Sequence, residues 1–413
     1  MQDSIGQFVD SKLGLFIHFG LYSILGGEFE GRSYPGLAEW IQTGLDIPRQ
    51  RYRQLMEEFD PKQLDADAIC ARAASIGCRY LCLTAKHHDG FALWDTSASD
   101  FNSVASPCGR DLVAEFAEAC RCHGLDYCLY YSQAQDWEDP DGYEAYHDNS
   151  RKDVRAYFER KVFPQVEELL TKYGAIRMLW LDTPMETPEY LARRLRDQIK
   201  RLQPDCLISG RIGFALGDYR TCSDNQLPAL PQDFAWEVPA TTNGSWGFKR
   251  SDTDWRDGIS ILRDFIKVIS RGGNYLINVG PDGQGQVPEG AWTSLALLEH
   301  YTQANAEAIY GSQATAPYVY DDPRILLTQK ARHLYLHLME APGKSSIALQ
   351  HIIAIPQTCR LVSKPEHELK FFAGRDLEGF NYWEIDLSSI KPETYPLAID
   401  IEHLSEEIEM EAF

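Results

Sequence analysis

Along the first three quarters of the 413-residue chain, a helical pattern and a short apolar run alternate. "LDADAICARAASIG" leads into "CRYLCLTAK", and "DLVAEFAEACRCHG" into "LDYCLYYS". "SRKDVRAYFERKVFPQVEELLTKYG" leads into "AIRMLWLD", "PEYLARRLRDQIKRLQP" into "DCLISGR", and "DGISILRDFIKVISRGG" into "NYLINVG". Each helical segment repeats apolar residues at three-four spacing and stops at Gly or Pro. Each short run is apolar on both faces, as parallel strands covered by helices are. With "LGLFIHFG" at the front, at least six such strands precede residue 313. Alternating helix and strand predicts a parallel α/β architecture. The length suits a (β/α)8 barrel, and no glycine-rich dinucleotide fingerprint favours a doubly wound sheet.

After "LLEHYTQANAEAIYGS" the pattern changes. "RILLTQKARHLYLHLME", "SSIALQHI", "CRLVSK", "LKFFAG", "FNYWEIDL" and "YPLAIDIE" are short alternating segments separated by turn residues. They predict antiparallel strands, hence a small β-sandwich over residues 314–413 behind a barrel over residues 1–313. The sandwich carries no cluster of chemically active residues, which points to a structural role.

Charge narrows the partners. Forty Lys and Arg against 61 Asp and Glu leave a formal charge of −21. Nucleic acid and anionic membrane surfaces are polyanions that such a chain repels, so neither is expected as a partner. No apolar run approaches membrane-spanning length. The segment "MQDSIGQFVDSK" lacks the basic-then-apolar signature of a secretory leader. Ten dispersed cysteines have neither zinc-site spacing nor the density of a disulfide framework. Reduced thiols and a cytoplasmic location are expected, or a secreted one if a leader was trimmed. A homo-oligomer is left open.

Candidate chemistry gathers at the C-terminal ends of the predicted strands, where parallel barrels place their active sites. These ends offer His18; His87, His88 and Asp89; Tyr131; Trp180 and Asp182; and Arg211. Each has a plainer reading. A lone His at a strand end is more often a satisfied structural side chain, and Asp182 is placed to cap a helix. Zinc needs three or more protein ligands in matched geometry, and the adjacent histidines have no accompanying H-x-H or HExxH, so no metal is expected. The plainer readings weaken because every strand end would need its own. Imidazoles, Arg, Tyr and indoles without a phosphate-cradling loop suit a neutral polyol. Glycoside cleavage needs two carboxylates in addition.

"KLGLFIHFGLYS", "AEW" at Ala38 to Trp40, "TAKHHDGFALWDT", "GLDYCLYYS", "LWLD", "WEVPATTNGSWGF" and "RGGNYLINVGPDGQG" together resemble the α-L-fucosidases of glycoside hydrolase family 29, in that family's order from about residue 12 to 285. The resemblance implies a barrel with a C-terminal β-sandwich and a retaining exo-hydrolase of terminal α-L-fucosyl residues on oligosaccharides or glycoconjugates. It implies no cofactor. By motif, Asp182 takes the nucleophile position. His18, Glu39, Trp40, His87, His88, Tyr131, Trp180, Arg211 and Trp246 fall on positions resembling the fucose-binding set. Trp246 and Phe248 are expected to wall the fucose methyl group. Gly90 is expected to turn the chain out of the barrel.

The second carboxylate departs from the pattern. Some members carry a Glu in a "GDxxTPE" segment; here the segment is "GDYRTCSDN", with Ser223 at that place. Others use the Glu of "WE" upstream of "SWGF". Glu237 is therefore the expected acid/base, with Asp224 as the alternative. Two other classes of function compete with this reading: a metal-dependent barrel hydrolase built on His18, His87 and His88, and a non-catalytic carbohydrate-binding protein. Linkage preference is expected to reside in cleft-mouth loops such as residues 133–146.

Overall fold

The computed structural model describes residues 4–315, 325–350, 352 and 354–405. Eight parallel strands make the first sheet: β1 (Leu13–Ile17), β2 (Tyr80–Lys86), β3 (Asp126–Ser132), β4 (Met178–Asp182), β5 (Leu207–Ile208), β6 (Arg220–Thr221), β7 (Trp236–Thr241) and β8 (Asn274–Val279). Their spatial order is β5-β4-β3-β2-β1-β8-β7-β6. A parallel bridge between Ser209 and Tyr219 joins the ends of β5 and β6 and completes the (β/α)8 barrel. The six runs read from the hydrophobic pattern are all strands. Two others escape that pattern for physical reasons. β6 is only two residues long. β7 contains Pro239, and proline normally argues against a central strand. Here β6 pairs with β7 only at Trp236 and Glu237, so Pro239 lies beyond that ladder.

Helices cover the outside of the barrel, among them α1 (Ala66–Ile76), α2 (Leu112–His123), α3 (Phe163–Lys172), α4 (Glu189–Leu202), α5 (Gly258–Ser270) and α6 (Glu289–Ala304). Asp65, Asp111 and Asp257 cap α1, α2 and α5 by accepting a backbone N–H three residues on. α1 and α2 stop at Gly77 and Gly124 in the left-handed conformation, the expected termination signal.

Strand alternation divides the side chains into two cores. Phe16, Tyr80, Cys82, Cys128, Tyr130, Met178, Trp180 and Leu276 fill the barrel interior. Leu15, Ile17, Leu81, Leu83, Leu129 and Leu179 face the helices. Both faces are dry, which is why the strands read as continuous apolar runs.

Beyond the barrel lie two antiparallel sheets. One has six strands, in the order Gln313–Ala314, Ile325–Lys330, His333–Leu338, Leu397–His403, Pro356–Leu361 and Lys364–Glu368. The other has three: Ser346–Gln350, Asn381–Asp386 and Phe371–Arg375. Leu334, Leu336, Leu349, Trp383 and Ile399 fill the space between them, as in a β-sandwich. Residues 316–324, 351, 353 and 406–413 of the predicted segment lie outside the described residues. No helix among the described residues is long and apolar enough to cross a membrane.

Candidate active site

A cavity of about 370 Å³ opens at the C-terminal ends of the strands, a size common for small-molecule sites. His18, Glu39, Trp40, His87, His88, Trp180, Asp182, Arg211, Asp224 and Trp246 all line it. Phe16 and Tyr130 complete the floor, and Tyr34 and Tyr146 stand at the mouth. His87 and His88 both reach the cavity because they lie just past β2, in the turn where strand alternation has ended. Gly90 has φ +79°, and a Cβ there would run into Asp136. Only glycine makes that exit from the barrel comfortably.

Asp182 ends β4. Tyr130 donates its hydroxyl to Oδ2 at 2.8 Å, and Arg211 donates Nη1 to Oδ1 at 3.1 Å. His88 Nε2 lies 3.9 Å from Oδ2. Burial by itself would push this carboxyl up. Arg211, the Tyr130 hydroxyl and the Thr183 amide together hold it below its ordinary value. Asp182 is thus a buried, ionised carboxylate. Arg211 donates its other nitrogen, Nη2, to Asp224, whose side chain is 44% exposed at the rim.

The two strand-end imidazoles have the same hydrogen-bond logic. Asn278 donates its Nδ2 to the Trp246 carbonyl at 2.7 Å, so its Oδ1 faces His18 Nδ1, 2.7 Å away, as an acceptor. Ser132 gives its hydroxyl hydrogen to the Gln135 carbonyl, 2.6 Å away, so it accepts from His88 Nδ1 at 2.8 Å. Both rings carry hydrogen on Nδ1, which leaves each Nε2 a bare acceptor. Burial presses His18 down to about 3 and His88 down to about 4, so both rings are neutral near pH 7. Glu39 Oε2 accepts from the Gly247 N–H at 2.9 Å, while Oε1, like His87 Nδ1, is buried with no hydrogen-bond partner among the described residues. Burial raises the Glu39 carboxyl to about 7. Neutral acceptors, a guanidinium and unsatisfied buried polar atoms suit a ligand rich in hydroxyls. Phe16, Trp180 and Trp246 give the same pocket apolar walls.

Four expectations need correction. Glu237 does not reach the cavity. Its side chain is fully buried beneath Trp180, Oε1 accepting Trp180 Nε1 at 2.8 Å and Oε2 accepting the Tyr80 hydroxyl at 2.7 Å. Burial raises its carboxyl to about 7. It orients an indole and has no free oxygen to offer a ligand. Tyr131 points out of the barrel, its hydroxyl donating to Gln165 at 2.7 Å and its ring lying under Lys86. Adjacent strand residues face opposite ways, so the inward tyrosine is Tyr130, in register with Trp180. Phe248 packs over Gly26 and lines a neighbouring cavity; Phe16 stands beside Trp246 instead. Asp89 is also turned away, held by the Tyr52 hydroxyl and the Phe91 N–H.

Alternation was the signal that would have found Phe16 and Tyr130: each lies two residues before a cavity-end residue, His18 and Ser132. Backbone strain is a second marker that no sequence pattern carries. Six non-glycine residues with positive φ lie in cleft loops: Tyr146, Thr183, Met185, Phe214, Ala215 and Asn225. Elsewhere, Glu307, His333 and Asp400 bring potential metal-ligand atoms within 4.8 Å of one another, but Arg360 already bridges Glu307 and Asp400.

The family model described as Alpha-L-fucosidase matches residues 2–307. An α-L-fucosidase of Dictyostelium discoideum is 27% identical over 338 residues, which are 74% of this chain and 71% of the relative. The structure of α-L-fucosidase isoenzyme 1 from Paenibacillus thiaminolyticus superposes with a TM-score of 0.87 at 30% identity, covering 98% of this chain and 99% of that one. The α-L-fucosidase AlfC from Lactobacillus casei, solved in complex with α-L-fucose product, is 36% identical with a TM-score of 0.69, covering 72% of this chain and 98% of its own.

Proposed function

This chain belongs to the alpha-L-fucosidase family of glycoside hydrolases, and from that premise we propose that it removes terminal α-L-fucosyl groups with retention, through a covalent fucosyl-enzyme. One observation carries the mechanism: a single guanidinium, Arg211, donates to both Asp182 and Asp224. Two carboxylates held by one fork lie close together, in keeping with the short spacing of retaining enzymes, about 5–5.5 Å.

Asp182 is the nucleophile. Its oxygen attacks the anomeric carbon while the glycosidic bond breaks, and Asp224 gives its proton to the departing oxygen. Asp182 loses its charge to the new bond as Asp224 acquires one, and Arg211 touches both throughout. In the second step Asp224 takes a proton from water, whose oxygen attacks the anomeric carbon and frees Asp182. His18 Nε2 and His88 Nε2 accept sugar hydroxyls, and Glu39 and His87 use their unpartnered atoms in the same way. The enclosed floor admits one terminal ring, which supports exo-action. All these groups precede residue 247, so residues 1–313 are taken as the catalytic unit and 314–413 as a β-sandwich packed on it. The steps need no cofactor.

Proton NMR during hydrolysis of 4-nitrophenyl α-L-fucoside tests the reading. The α-anomer of fucose is expected first; the β-anomer first would overturn retention, and no turnover would favour a binding protein. A 2-deoxy-2-fluoro-L-fucosyl fluoride should label Asp182, and Asp182→Ala should lose the label together with several orders of magnitude in kcat.

A further inference from the structure

The fucose-sized floor is almost closed: His18 and His87 are 4% exposed and His88 and Trp180 2%. Asp224, Tyr34 and Tyr146 line the same cavity as these residues, and Tyr146, 93% exposed, and Asp224, whose side chain is 44% exposed, stand at its open side. If Asp224 protonates the glycosidic oxygen, the leaving group lies at that open side, where the two tyrosine rings are within its reach. A leaving-group site here rests on the α-L-fucoside reading above.

Tyr146 is unusual in two ways. It is 93% exposed, and its backbone holds φ +66°, a region that bulky residues seldom occupy. Its loop is nevertheless firmly tied. The Ala145 N–H donates to Gln135 Oε1 at 2.8 Å, the Glu144 N–H to Asn149 Oδ1 at 2.9 Å, and Lys152 Nζ to Glu144 Oε1 at 2.6 Å. At the root of the loop, Asp136 is clasped between Lys86 and Lys161, all three buried. Next to it, Trp137 packs edge-on against Trp40, whose ring lies 6.2 Å from that of Tyr146. An exposed aromatic held in this backbone conformation by an anchored loop is presented to the cleft in a fixed place. Tyr34 is seated with equal care. Gly36 and Gly44 leave the space its ring fills, since a Cβ at either would overlap it.

We propose that Tyr146 and Tyr34 form the seat for the sugar ring of the leaving group, Tyr146 stacking on its apolar face. The seat then selects for a pyranose next to fucose. A phenol ring offers a flat apolar face and suffers little entropy loss on binding, which suits the C–H face of a pyranose.

The test compares two donors, α-L-fucosyl fluoride, whose leaving group is too small to reach either tyrosine, and a panel of α-linked fucosyl-disaccharides covering the common linkages. Tyr146→Ala, at an exposed position, should lower kcat/KM on the cleaved disaccharides by about tenfold relative to the fluoride, the size of one aromatic contact. Tyr146→Phe should keep the wild-type ratio, because stacking uses the ring and not the hydroxyl. An equal loss on both donors would place Tyr146 in the fucose pocket and overturn the proposal. So would an unchanged ratio in Tyr146→Ala, or a wild type that cleaves the fluoride but none of the disaccharides. Turnover of neither donor would overturn the fucosidase reading itself, and the seat with it.

Discussion

Glu237 and Asp224 differ in what surrounds their oxygens. Both oxygens of Glu237 are occupied, by the Trp180 indole and the Tyr80 hydroxyl, in a region sealed from the cleft. Asp224 meets Arg211 and the open mouth. The two variants should separate accordingly. Asp224→Ala should lose activity on fucosyl-disaccharides, whose leaving groups need a proton. On an activated nitrophenyl fucoside it should release a burst of phenol and then turn over slowly, because base assistance to water is also missing. Azide, which attacks without a base, should speed that slow phase. Glu237→Gln keeps the shape and an acceptor oxygen under Trp180, so stopped-flow traces should show no burst-then-slow pattern. If that pattern appeared in Glu237→Gln and not in Asp224→Ala, the two roles would have to be exchanged.

At the scale of elements, the loop after β3 is anchored by a buried charge cluster. Asp136 is completely buried and accepts from Lys86 at 2.9 Å, with Lys161 Nζ 2.7 Å away. The Tyr157 hydroxyl lies close by and also contacts Lys86. The two ammonium groups hold the Asp136 carboxyl far below its usual range, against the upward push of burial. Asp136→Ala would strand two ammonium groups in a dry interior. Removing one partner of a buried ion pair typically destabilises by about 3–5 kcal/mol. A urea unfolding curve should show a loss of that order; a change under roughly 1 kcal/mol would mean that water reaches the site. Strand parity also belongs to this scale. β3 is apolar on both sides, so its composition does not say whether Tyr130 or Tyr131 faces inward. The register with β4 decides it.

At the scale of the whole molecule, barrel and sandwich meet through a buried histidine. Thr328 gives its hydroxyl hydrogen to the Ala308 carbonyl at 2.9 Å and therefore accepts from His337 Nε2, also 2.9 Å away. His337 Nδ1 then accepts from the Tyr301 hydroxyl of α6 at 2.7 Å. The relay requires a neutral ring, and burial lowers His337 to about 3. Unfolded, the same side chain takes up a proton below about 6.5. Between pH 6.5 and 3 the unfolded state holds more protons, so stability falls with falling pH by about 1.4 kcal/mol per unit for this one group. Above pH 6.5 its contribution is constant. His337→Gln should be less stable at pH 7, and its urea midpoint should fall less steeply from pH 6.5 to 4. Parallel slopes in wild type and variant would refute the assignment.

The chain order of periodic segments was enough to determine a parallel α/β barrel with an antiparallel tail, because hydrophobic periodicity and helix stop signals are local properties. The motifs also brought His18, Glu39, Trp40, His87, His88, Trp180, Asp182, Arg211 and Trp246 to one cavity, because a parallel barrel gathers its strand ends and their loops whatever the details of packing. Three things depended on the tertiary structure. Pro239 hid β7, whose place is settled by where its neighbour's ladder stops. The inward face of β3 came from strand register. That Asp224 reaches the cavity and Glu237 does not came from burial and hydrogen bonding, which join residues distant in sequence such as Tyr80, Trp180 and Glu237. A carboxylate's role follows from who donates to it and whether a ligand can reach it, and both are facts of three-dimensional neighbourhood that a one-dimensional pattern does not contain.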